Sequence, residues 1–172
     1  RPDQCIIDLF NTKRAMAHAT YRDPRDMALS MIDHGHRNRA EGKSAFTEIT
    51  DLDTAKSNIN NQIDSLTQWL VRPNCLPLFF DDLAFDMETA TRQILAHLHL
   101  EIEPYRVTSF VQNRRFTQKN KGIRRRFKTE MSLIERQSFR RTYAKLYKHL
   151  IKRRKSIALT GEPIFPDGTR LV

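Results

Sequence analysis

"YRDPRDMALS", residues 21–30, decides how the chain is read. It follows the apolar-leaning run "AMAHAT", so the spacing predicts a strand over 15–21 that ends in Arg22. Asp23 suits a helix N-cap, and Pro24 suits the first helical position, where its missing N–H is not needed. Met27, Ala28, Met31 and Ile32 then recur at three- and four-residue spacing, which predicts a helix from Pro24. Asp23 and Ser30 lie nearly two turns apart on one face, about 10 Å along the axis. An oxyanion beside these turns would take a bidentate contact from Arg22, a hydroxyl contact from Ser30 and a favourable helix dipole. The same residues would equally make a plain strand–turn–helix with a capped helix and an exposed arginine.

Working outward, the 172 residues are enough for one domain with a real core. Charged residues make up 29% of the chain, but ten phenylalanines and several periodic apolar segments argue against disorder. The net charge of +10 suits an anionic partner: a nucleotide, nucleic acid, an acidic glycan or a membrane surface. Cys5 and Cys75 are too few and too far apart for a disulfide framework or a metal site. No run approaches the roughly 18 apolar residues of a membrane span. The first residues, "RPDQCIIDLF", carry no initiator methionine, and an N-terminal part is expected ahead of them.

Residues 5–10 read as a short strand or the end of a helix. The helix from Pro24 is expected to stop near Gly35, a natural C′ residue, and residues 36–50 to form a polar surface loop. Residues 51–71 read as a helix with Ile59, Ile63, Leu66 and Leu70 in one stripe, closed by Pro73. "CLPLFF", 75–80, suits a buried strand, although Pro77 removes a ladder donor. A turn over 81–86 and a helix over 87–100 follow. Residues 101–132 show weak periodicity and many basic side chains. Ser132 with Glu135 reads as a capping box opening a helix over about 133–154, and the tail reads as irregular.

Several residues invite a chemical reading. "EGKS", 41–44, resembles the end of a phosphate-binding loop, but the glycine required five positions earlier is Arg37. His97 and His99 are two residues apart, not the four that a helical metal pair wants. His34 shares the face of Ser30 and is the first histidine to consider as a general base. "KNKGIRRRFK", 119–128, is the strongest basic run. There Gly122 permits close backbone approach to a ligand, and Lys121 offers a charge beside it.

Taken together, three segments resemble the PAPS-dependent sulfotransferases, which take a sulfuryl group from 3′-phosphoadenosine 5′-phosphosulfate. Family members carry a strand ending in arginine, an Arg-Asn/Asp-Pro-Lys/Arg-Asp turn and a serine eight residues after the arginine. Arg22, Asp23-Pro24-Arg25-Asp26 and Ser30 keep that spacing. "FFDDLAFDMETATRQILAHLHL" resembles the family's strand ending in Tyr-Glu-Asp-Leu and its following helix, with Phe80 in place of the tyrosine. "NKGIRRRF" resembles the family's Lys-Gly loop, with Lys121, Gly122 and Phe127 at matching positions. Asn120 replaces a common arginine, and Arg125 stands where a second glycine often sits.

The resemblance covers about residues 5 to 150. It implies an α/β fold of the P-loop-NTPase-like sulfotransferase type, here an incomplete, helix-rich C-terminal portion forming a single partial domain over 1–172. It implies sulfuryl transfer from PAPS to a hydroxyl or amine of a small-molecule or glycan acceptor, without a metal and without nucleic acid, in the cytoplasm. Arg22, Ser30, Lys121 and Gly122 would hold the 3′-phosphate of PAPS or of the product PAP, and Phe80 would stack on adenine without the tyrosine's hydroxyl contact. The family's 5′-phosphosulfate loop and its catalytic histidine or glutamate would lie before residue 1, so no catalytic residue is assigned. Residues 37–55 are the candidate acceptor gate. Two other readings stay open: a basic nucleic-acid-binding module using 114–128 and 140–155, and a catalytically inactive PAP-binding scaffold.

Overall fold

The computed structural model describes residues 3–113 and 123–148. Helices alternate with two short parallel strands, an α/β arrangement rich in helix. The described residues divide into two compact units. One holds those up to Tyr21 and those from Ser65 to residue 113; the other holds Arg22–Asp64 and residues 123–148.

In the first unit, β1 (Ala17–Tyr21) pairs in parallel with β2 (Cys75–Phe79), Ala17 opposite Cys75 and Tyr21 opposite Phe79. β1 buries Ala19 and Tyr21 and exposes His18 and Thr20, the alternation of a half-buried strand. All five residues of β2 are buried, as its continuous apolar run requires. Pro77 fits for a geometric reason. The Ala17 N–H donates to the Asn74 carbonyl at 3.0 Å. In a parallel ladder this phase points the peptide groups of residues 74, 76 and 78 at β1, and residue 77 at the other edge. No ladder bond to β1 is lost.

Helix α1 (Gln4–Asn11), capped by Asp3, sets Phe10 edge-on to Trp69 at 5.7 Å. This resolves 5–10 as helix. The expected turn after β2 is also helical: α4 spans Phe80–Phe85, and α5 (Met87–His97) follows behind an Asp86 cap. A further helix, α6 (Pro104–Asn113), lies in the stretch of weak periodicity.

His97 closes α5 on the sheet. Its Nε2–H donates to the Asn74 carbonyl at 3.1 Å, and its ring lies 5.3 Å from that of His18. Burial first, then the neighbouring His18, pulls its pKa below the ordinary histidine value, while the carbonyl contacts of Asn74 and Ala17 oppose this. The unfolded chain therefore binds a proton that the folded chain resists. The stabilising effect is complete above about pH 6.5 and is lost as pH falls below it. The urea midpoint is expected to drop between pH 7.5 and 5.5, and to drop less in His97→Gln. An equal drop in both proteins would assign the pH dependence elsewhere.

In the second unit, α2 (Pro24–Ala40) begins as expected, with Asp23 as N-cap and Pro24 in the first turn, but it runs straight through Gly35. Gly35 is buried, and a Cβ there would lie 2.5 Å from the Phe46 carbonyl oxygen and 2.6 Å from that of Ile49. It is glycine so that the following segment can lie against the helix. The C′ glycine is Gly42, at φ +68°. The N–H of Gly42 donates to Arg39 and that of Lys43 to Asn38, the Schellman pattern.

Residues 36–50 are correspondingly more than a surface loop. Ile49 is fully buried, Asn38 donates to the Ala45 carbonyl at 2.6 Å, and Arg39 donates to that of Thr47 at 2.6 Å. α3 (Leu52–Leu70) starts in this unit and contributes Ala55 and Ile59 to a core with Ala28, Met31, Phe127 and Phe139. α7 (Phe127–Glu130) is a single turn. α8 (Leu133–Thr142) opens on the Ser132/Glu135 capping box. It breaks at Tyr143, and helical backbone resumes over 144–148, so the single helix expected from 133 is interrupted.

Candidate functional site

The first turn of α2 organises the site. Asp23 accepts the Arg25 backbone N–H at 3.0 Å, as a cap does. The Arg25 guanidinium folds back on the same carboxylate, Nε to Oδ1 at 3.0 Å and Nη2 to Oδ2 at 2.7 Å. The Tyr147 hydroxyl donates to Oδ1 at 2.8 Å. The guanidinium carbon lies 3.5 Å above the Phe127 ring and 5.0 Å from that of Tyr147, within cation–π range. Burial works against the charge of Arg25, but Asp23 outweighs it and the pKa rises. Burial, and then Asp23, pushes the Tyr147 phenol far above its ordinary range, so it stays a donor.

A second set of contacts ties the basic segment to α2. Asp26, only 2% exposed, accepts the Phe127 backbone N–H at 3.2 Å. The buried Arg126 bridges Asp33 (Nη1 at 2.8 Å) and Glu130 (Nε at 2.7 Å, Nη2 at 2.6 Å). Glu130 first, and Asp33 after it, hold its guanidinium above the ordinary range. Ser30 sits four residues after Asp26 and three before Asp33, so it shares the helix face to which Arg126 and Phe127 are fastened.

Arg22 and Ser30 thus belong to one turn and helix, both half-buried. Phe80, also half-buried, belongs to the other unit and is the first residue of α4; the strand ends one residue earlier, at Phe79. Lys121 and Gly122 lie outside the described residues, but Arg126 and Phe127, four and five residues past Gly122, are fixed on α2.

The Lys43 of "EGKS" pairs with Glu41 at the helix end. His34 Nδ1 lies 2.7 Å from Arg37 Nη2. Arginine can only donate, so Nδ1 accepts and the ring proton is on Nε2; the ring edge meets Phe46. Neither ring nitrogen is then poised to take a proton from an acceptor beside Ser30 unless the Arg37 contact breaks. Cys5 and Cys75 are free thiols, the first exposed and the second buried. Among the described residues no group of three or more His, Cys, Asp or Glu could hold a metal, and no helix is long and apolar enough to cross a membrane.

Sequence reasoning named Arg25 and Asp26 only as part of the turn motif and gave no role to Arg126 or Tyr147. Arg25 and Asp26 fall inside the quoted motif, and the i, i+4 relation of Asp26 to Ser30 was available. Tyr147 is 124 residues from Asp23, and no local pattern links them.

No match was found among curated proteins or among solved structures. A family model described as the sulfotransferase domain matches residues 8–157, a span that takes in the Arg22 turn, Ser30, Phe80 and the basic segment. With most of its length inside that match, the chain belongs to the sulfotransferase domain family.

Proposed function

We propose that the protein transfers a sulfuryl group from PAPS to an acceptor hydroxyl or amine, and that residues 1–172 form one domain of the P-loop-NTPase-like sulfotransferase type. The observation that carries this reading is the Arg22–Asp23–Pro24 turn leading into α2 with Ser30 on the face that anchors the basic segment. PAPS supplies the sulfuryl group. Arg22 offers a planar fork to a 3′-phosphate, Ser30 a hydroxyl, and the N-terminal turn of α2 a favourable dipole. Lys121 and Gly122 close on the same phosphate, and Phe80 stacks on adenine. The acids around the turn fit an anionic ligand: Asp23, Asp26 and Asp33 each hold donors of this chain, which limits their repulsion of a phosphate. These residues grip the donor and leave the acceptor proton to another group. As in phosphoryl transfer, positioning and electrostatics carry most of the catalysis.

Calorimetry on the full-length protein tests this. PAP is expected to bind more tightly than adenosine 5′-phosphate. Arg22→Ala should weaken PAP by about 1.5–3 kcal/mol, the range for hydrogen bonds to a charged group, with little change for adenosine 5′-phosphate. Unchanged PAP affinity would remove Arg22 from the site. Radiolabelled sulfate transfer to phenolic, alcohol, amine and glycan acceptors tests turnover; tight PAP binding without turnover would favour the scaffold.

A further inference from the structure

We infer that Tyr147 and Arg25 are positioning residues for the 3′-phosphate contact of Arg22, acting through Asp23; this rests on the function proposed above. Asp23 is bonded directly to Arg22 in the chain, and its carboxylate is held more firmly than an N-cap needs. Oδ1 takes three donors: the Arg25 N–H at 3.0 Å, Arg25 Nε at 3.0 Å and the Tyr147 hydroxyl at 2.8 Å. Oδ2 takes Arg25 Nη2 at 2.7 Å. A side-chain cap alone would use one of these.

The fork of Arg25 is committed to Asp23 and its face to Phe127. A motif reading would count Arg25 as a second phosphate cation. In this geometry it is a brace, and the phosphate contact at the turn falls to Arg22. The Tyr147 bond is the long-range member of the brace, fixing the turn to a residue beyond the α8 break. Asp23 is thereby held from both sides, by Arg25 along the helix and by Tyr147 across the unit. Loss of either contact leaves the N-cap in place but lets the preceding peptide, and with it Arg22, change direction.

The test compares PAP with adenosine 5′-phosphate by calorimetry in the full-length wild type, Tyr147→Phe, Arg22→Ala and the double variant. Arg25→Lys, which keeps the charge but loses the fork, is the second variant should Tyr147→Phe fail to fold. Tyr147→Phe is expected to lower the preference for PAP about 5- to 10-fold, less than the loss of a hydrogen bond to a charged group, because it misdirects the Arg22 contact without removing it. Affinity for adenosine 5′-phosphate should stay unchanged. In the Arg22→Ala background Tyr147→Phe should add nothing, because both act on one contact. Loosening of the fold in general would weaken both nucleotides, and would do so with or without Arg22; that result overturns the inference. So does an unchanged preference in Tyr147→Phe alongside a lowered one in Arg22→Ala. A wild type with no preference for PAP, or an Arg22→Ala variant that keeps it, would defeat the proposed function and this inference together.

Discussion

Valine at position 35 is expected to lower the stability of the unit containing α2 by about 3 kcal/mol, near the top of the range for overpacking. The obstacle is the Cβ itself, before the γ methyls are considered. It would stand 2.5 and 2.6 Å from two backbone oxygens, those of Phe46 and Ile49. No side chain can swing away to make room, because the atoms in the way belong to the chain trace. That trace is fixed by the fully buried Ile49 and by the bonds from Asn38 and Arg39 to the carbonyls of Ala45 and Thr47. Alanine separates the competing terms. It gains up to about 1 kcal/mol of helix propensity over glycine, yet carries the same Cβ, so Gly35→Ala is still expected to destabilise. Gly42→Ala is the contrast: nothing lies within 4 Å of a Cβ there, and only the positive φ of 68° opposes it, about 1–2 kcal/mol. Urea unfolding should rank the variants Gly35→Val, then Gly35→Ala, then Gly42→Ala by loss of stability. A Gly35→Val loss no larger than that of Gly42→Ala would mean that the 45–49 segment moves aside freely.

The two glycines also show what the sequence could and could not convey. A glycine ending α2 was foreseeable in kind, because helices favour αL glycines at C′. Which glycine does so depends on what packs on the helix, and Gly35 was needed for contact with a segment that reads as polar loop. The caps at Asp23 and Ser132 were legible, since a side chain and a backbone N–H two or three residues away settle them. α6 escaped although Pro104 stands at its first position and Val107, Phe110 and Val111 fall at three- and four-residue spacing, because it was read together with the longer basic stretch 101–132, whose periodicity as a whole is weak. Phe80 was legible as the end of a buried run, but not as the start of α4, because the step from strand to helix lies within continuous apolar sequence. At the candidate site, Arg22 and Ser30 could be chosen from spacing. The bonds that brace them come from residues 126, 127 and 147, and a pairing across a hundred residues leaves no periodic trace.

Arg126 is where that bracing should be most costly to remove. Its side chain is 3% exposed, while Asp33 and Glu130 are 26% and 36% exposed. Two limits bound the effect of Arg126→Met, which keeps the apolar stem and deletes the charge. An exposed pair contributes about 0–1 kcal/mol, and breaking a fully buried pair costs about 3–5 kcal/mol because a charge is left without compensation. Here the charges left behind can partly rehydrate, so a loss of about 2 kcal/mol is expected, below the buried limit. Asp33→Asn should lose less, and the double variant should lose less than the two singles added, since both delete the same contact. A single-variant loss under about 0.5 kcal/mol, or strict additivity, would place Arg126 among the weak surface pairs. The consequence for binding follows from position. Arg126 and Phe127 fasten the end of the basic segment to the α2 face that bears Ser30. If Lys121 and Gly122 close on the 3′-phosphate, Arg126→Met should weaken PAP more than adenosine 5′-phosphate under conditions where the variant remains folded. Equal weakening of both nucleotides would assign Arg126 to the fold alone.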